Sequence, residues 1–111
     1  MVTMNEYKNI VRDLILEIGE IDRSAIDWQT AIITDDEHGH YLLMKIGWLQ
    51  NKRLYGPYLH VQVQDGKVLV HQNGTDIHIG HELNQRGIKK EDIVLAFQMP
   101  LKREYSGFAV S

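Results

Sequence analysis

Apolar residues near the start of the chain recur at helical spacing: Tyr7, Ile10, Val11, Leu14, Ile15 and Ile18 fall three and four residues apart. Thr3 and Glu6 stand at capping-box spacing ahead of them, and Gly19 follows as a residue suited to a left-handed stop. The pattern predicts an amphipathic helix over 4–18 whose stripe belongs to a core, with Lys8, Asp13 and Glu17 on its outer face.

From Trp28 the period shortens. β-branched and aromatic runs separated by polar turns predict consecutive strands at about 28–34, 40–49, 53–64 and 67–73. In the second, Leu42, Met44, Ile46 and Trp48 alternate with Tyr41, Leu43, Lys45 and Gly47, so the even-numbered face is expected to be the more deeply buried. Gly56-Pro57 interrupts the third, since proline cannot donate to a ladder, and implies a bulge, bend or edge there.

Asp65-Gly66 is a two-residue type I′ turn signal, which sets Gln64 opposite Lys67, Val63 opposite Val68 and Val61 opposite Val70. Carried on without a bulge, the same register sets His60 opposite His71. Asn73-Gly74-Thr75-Asp76 ends this pattern and offers Thr75 or Asp76 as the cap of a second helix through about Arg86, with Gly87 as its stop and Ile88 touching Leu83. Ile93 to Phe97 is an apolar run of strand length, expected to be buried, and Pro100 ends it. Tyr105 and Phe108 are anchors that dock the tail on the body or on another chain. The fold class that emerges is α+β: an antiparallel β-meander of about four to five strands, an N-terminal helix, and a second helix after the meander.

Composition narrows the function. The 111 residues are 43% hydrophobic, enough for a packed core. They contain no cysteine, which removes disulfides, thiolate zinc sites and cysteine nucleophiles together. No run approaches the roughly 20 apolar residues of a membrane span, and Met1 to Asn5 has no basic leader, so a cytoplasmic protein is expected. The formal charge of -3 runs against autonomous binding to duplex DNA, whose affinity comes largely from neutralised phosphates. The basic doublets are Lys52-Arg53, Lys89-Lys90 and Lys102-Arg103, and they would have to converge to form a patch.

Six histidines are the main candidates for chemistry. His78 and His81 share a helix face and His60 and His71 a strand pair, but each is a two-ligand fragment where a catalytic zinc needs three. Asp35-Asp36-Glu37-His38-Gly39-His40 lacks the spacing of a calcium loop and reads as a solvated hairpin tip. There is no nucleophile elbow, phosphate-binding loop or dinucleotide fingerprint. No catalytic residue, metal ligand or cofactor is assigned.

Ile46-Gly47-Trp48, Arg53-Leu54-Tyr55-Gly56, Leu59-His60-Val61-Gln62-Val63, Asp65-Gly66-Lys67, Asn73-Gly74-Thr75, the run Glu91 to Phe97 and the tail Tyr105 to Val110 together resemble the XisI family, the cyanobacterial fdxN element excision controlling factors. The likeness runs through nearly all of the chain and implies one XisI-like domain over 1–111. It implies a non-enzymatic accessory factor that works with an XisH-like protein and a site-specific recombinase in DNA excision during heterocyst development. Two positions depart: Gln98-Met99-Pro100 stands where the family often has His-Pro-Pro, and His71 where it often has Gln. Arg53, Tyr55, Tyr58, His60, Lys102, Arg103, Tyr105 and Phe108 are the candidate partner-binding residues, because aromatics and arginine dominate interface hot spots. Exposed strand edges and the apolar tail are compatible with a homodimer. The alternatives are a DNA-binding recombination directionality factor, and a metal-dependent enzyme with a third ligand beside one of the histidine pairs.

Overall fold

The computed structural model describes residues 4–23, 28–98 and 107–109. Helix α1 spans Met4–Arg23, followed by strands β1 (Gln29–Asp35), β2 (His40–Leu49), β3 (Lys52–Gln64) and β4 (Lys67–Asn73), helix α2 (Ile79–Gln85) and strand β5 (Ile93–Leu95). The sheet order is β1-β2-β3-β4-β5. The first four strands form the antiparallel meander, within a residue or two of the boundaries read from the sequence. The fifth is parallel to β4, because the chain leaves the meander through α2 and returns to the same sheet from the same end. Its buried part stops at Leu95, so Phe97, 49% exposed, is not part of the strand as expected. The proposed cap Thr3 and the terminator Pro100 lie outside the described residues.

Helix α1 does not stop at Gly19; it runs a further turn. Gly19 serves a close approach instead, since a Cβ there would lie 2.6 Å from Ile32 Cγ1 and 2.9 Å from Leu43 Cδ2. Its missing side chain is what lets the helix settle onto β1 and β2. Beneath it, Tyr7, Val11, Leu14, Ile15 and Ile18 meet Tyr41, Leu43, Leu59, Val61 and Val70 in one core, to which α2 adds Ile79 and Leu83. Burying each such side chain contributes about 1.5–3 kcal/mol, so this helix-covered face carries most of the stability.

The start of α2 differs from the sequence expectation. Its cap is His78, whose Nδ1 accepts from the His81 N–H at 3.1 Å. Thr75 is unavailable because its hydroxyl donates to Asn73 Oδ1 at 2.6 Å and accepts the Ile77 N–H at 3.2 Å, which builds a turn in place of a first helical turn. The other end agrees: the Ile88 N–H reaches the Leu83 carbonyl at 3.1 Å and the Gly87 N–H that of Asn84 at 3.1 Å.

Candidate functional site

Both helices share one face of the sheet, and this decides which side of β2 is buried. Tyr41 and Leu43 are wholly buried under α1, while Leu42, Met44 and Ile46 are half-buried and Trp48 is 61% exposed. The expectation that the even-numbered face is the deeper one is therefore reversed. Alternation shows that a strand has two faces, but where both are apolar it does not say which one receives the helix. The result is a second apolar face, without helical cover among the described residues.

Two bulges set what that face displays. Pairing of β2 with β3 runs Leu43↔Leu59, then Met44↔Pro57, leaving Tyr58 as the extra residue beside the proline. Side chains before the bulge point outward at odd numbers and after it at even ones, so Arg53, Tyr55, His60 and Gln62 all reach the same open face. Tyr58 is turned the other way. It is 5% exposed, its hydroxyl donates to Asp22 Oδ2 at 2.6 Å, and its ring stands edge-on to Trp28 at 5.3 Å. Burial, reinforced by that bond to a carboxylate, pushes its hydroxyl up to about 12. Of the proposed contact residues, Tyr58 is thus corrected to a core residue.

At the tip of the β2–β3 hairpin, the Arg53 guanidinium lies over the rings of Trp48, at 5.4 Å, and Tyr55, at 5.6 Å. Tyr55 is 68% exposed and Leu49 52%. A cation between two exposed aromatic faces keeps all three side chains ordered before any partner arrives, and so lowers the entropy cost of binding. Trp48 was not among the expected contact residues, because the alternation of β2 assigned it to the core. Its place at the end of the strand, next to a two-residue turn, was the available signal.

The second bulge lies between His60 and Val61, where His60 pairs with Gln72 and Val61 with Val70. The direct His60–His71 pairing expected from the turn does not form, although the hairpin register is as read up to Val61. The rings are still neighbours, 4.9 Å apart, and His40 joins from β2 with its Nδ1 3.0 Å from His60 Nε2. His71 Nε2 donates to Gln62 Oε1 at 2.7 Å. Burial first, then the charge of the neighbouring imidazoles, depresses the affinity of His60 for a proton, and burial followed by His40 does the same for His71. Among the described residues no three His, Cys, Asp or Glu side chains are placed to hold a metal ion.

The depressed histidines make a prediction. A group that resists protonation in the folded state contributes stability that is complete above its unfolded value, about 6.5, and lost as pH falls from there through the folded value. The urea midpoint of the native chain is therefore expected to fall as the pH is lowered below about 6.5, and that of His60→Gln with His71→Gln to fall less. Parallel pH profiles for the two proteins would contradict this.

The remaining candidates separate. Phe108 is half-buried against the core, its ring atoms 3.0 and 3.3 Å from where a Cβ on Gly80 would sit, so it docks the end of the chain on α2. Lys102, Arg103 and Tyr105 lie outside the described residues. Lys52-Arg53 and Lys89-Lys90 do not converge. The first doublet opens β3, whereas the second precedes Glu91, whose carbonyl accepts from Lys67 just past the far end of β3. The acidic turn after β1 is not merely solvated either: Asp36 accepts from the Tyr41 hydroxyl at 2.7 Å and from Arg12 at 3.0 Å, tying the turn to α1.

A family model described as "XisI protein" matches residues 1–110. A crystal structure of an XisI-like protein from Anabaena variabilis ATCC 29413 is 35% identical, covers 98% of this chain and 100% of its own, and superposes with a TM-score of 0.89. A second, of the fdxN element excision controlling factor XisI from the same organism, is 28% identical over 97% of this chain and 98% of its own, with a TM-score of 0.86. No curated protein matches.

Proposed function

Because the chain belongs to the XisI family, we propose that it is a non-enzymatic accessory factor of site-specific DNA excision. It acts by being held against a protein partner, of the XisH kind, through the open sheet face. The similarity to an excision controlling factor supports the process, and the exposed, pre-ordered Trp48–Arg53–Tyr55 cluster supports the mode of action. Such clusters of aromatic and arginine side chains carry binding energy out of proportion to their area. The family resemblance further implies that the partner works with a recombinase in developing heterocysts. The separation of the two described basic doublets, with the net charge of -3, favours protein over DNA as the contacted macromolecule.

The test is co-expression with the XisH-like protein of the same host, followed by affinity capture. The native chain is expected to retain its partner. Trp48→Ala with Arg53→Ala is expected to weaken capture by about 2 kcal/mol or more, roughly 30-fold, with an unchanged circular dichroism spectrum. Arg53→Ala with Arg103→Ala asks whether the tail contributes. Undiminished capture by the first double variant would remove this face as the docking site, and sequence-dependent duplex binding by the purified chain would replace the reading with a directionality factor.

A further inference from the structure

The two edges of the sheet are finished differently. At β5, Ala109 lies parallel beside Val94 and its N–H donates to the Ile93 carbonyl at 2.8 Å, so that edge is closed. At β1 no further strand lies alongside among the described residues. Asp35 and His40 close the β1–β2 hairpin, which aims the backbone groups of Gln29, Ala31, Ile33 and Asp35 at β2 and those of Thr30, Ile32 and Thr34 outward. Arg23 agrees with this parity, its Nε donating to the Thr30 carbonyl at 3.3 Å. Among the described residues, the N–H and C=O of Ile32 and Thr34 are left as an open ladder.

Natural edges are normally guarded by lysine, proline or a bulge. β1 reads Gln-Thr-Ala-Ile-Ile-Thr-Asp, has none of these, and pairs with β2 without a register break. We infer that β1 pairs antiparallel with β1 of a second copy of this chain, about a twofold axis at Ile33, and that the two sheets become one. In that register Ile32 exchanges hydrogen bonds with Thr34 of the second copy, and Ile33, 40% exposed, meets its own equivalent on the open face at a non-hydrogen-bonded site, where side chains approach closest.

The flanking charges select this pairing. It sets Asp36 of each copy opposite Thr30 of the other, where the Arg23 guanidinium stands, whereas a parallel pairing would bring the two acidic turns together. The helix layer continues across the join as well. Arg12 contacts Asp36, Gly19 abuts Ile32 and Arg23 contacts Thr30, so this stripe of α1 borders β1, and Leu16 in its middle is 38% exposed. The contact is isologous and closes after two copies, because the β5 edge is already occupied. It leaves Trp48 and Arg53 at the opposite end of the β1–β2 pairing free for a different partner.

Sedimentation equilibrium over a concentration series tests this. The native chain is expected to reach twice its 12.9 kDa mass. Thr34→Pro deletes an outward N–H at an edge where proline is tolerated, and is expected to sediment as a monomer with an unchanged circular dichroism spectrum. Should that variant fail to fold, Ile33→Lys at the exposed position is expected to give the same monomer. Hydrogen exchange at the Ile32 and Thr34 amides of the native chain is expected to be slow in the dimer and to accelerate on dilution. A native chain that stays monomeric to its solubility limit, or folded variants that remain dimeric, would overturn the inference.

Discussion

Tyr58→Ala is expected to destabilise the protein by about 3–5 kcal/mol, the cost of emptying a buried aromatic site. Arg53→Ala, five residues away on the same strand, is expected to change stability by less than about 0.5 kcal/mol. The contrast follows from the bulge at Tyr58, which sends its ring under α1 onto Trp28 and Asp22 while Arg53 stays on the open face. Tyr58→Phe separates the parts: it keeps the ring and gives up only the bond to Asp22, for about 1 kcal/mol. Urea unfolding measures all three. Since a whole domain is stable by only about 5–15 kcal/mol, a small effect of Tyr58→Ala would mean that the ring is not packed as described, and would restore it to the contact surface.

A comparable loss is expected at the turn before β2. Gly39 has φ +74°, and a Cβ there would lie 2.3 Å from the Val63 carbonyl oxygen. Its own N–H and C=O are engaged, with the Asp35 carbonyl and the Val63 N–H, each at 2.8 Å, so the turn cannot swing away without breaking both bonds. Gly39→Ala is therefore expected to cost about 3 kcal/mol or more, combining left-handed strain with a backbone collision. Gly66→Ala is the control, for Gly66 has nearly the same φ, +76°, with nothing within 4 Å of the added carbon. It should cost only the strain, about 1–2 kcal/mol. Equal thermal midpoints for the two variants would show that the contact with β3 yields.

Much of this architecture could be read before the fold was known. Asp65 and Gly66 both adopt positive φ, and the pairs Gln64↔Lys67 to Val61↔Val70 stand as the turn chemistry required. The bend at Gly56-Pro57 was visible too, because proline's missing donor marks a break in the ladder wherever it falls. What could not be read was its consequence, that one inserted residue exchanges inside for outside along the rest of β3. Arg53 and His60 share a face only because Tyr58 lies between them as the extra residue. The second break, at His71, likewise undid a pairing that simple alternation had predicted. His40 was missed as a neighbour of His60 because it comes from the adjacent strand, and that register depends on the bulge at Tyr58.

Local sequence therefore determined the helices, the strands and the tight turn, since each depends on interactions within a few residues: spacing of apolar side chains, a glycine able to take positive φ, a proline without a donor. Only the tertiary structure decided which apolar face was covered and which was left open. Both sides of β2 are hydrophobic enough to be buried, and the choice was made by a distant helix whose Gly19 fits against Ile32 and Leu43. A face is exposed or buried by what packs on it, which no periodicity within the strand itself encodes.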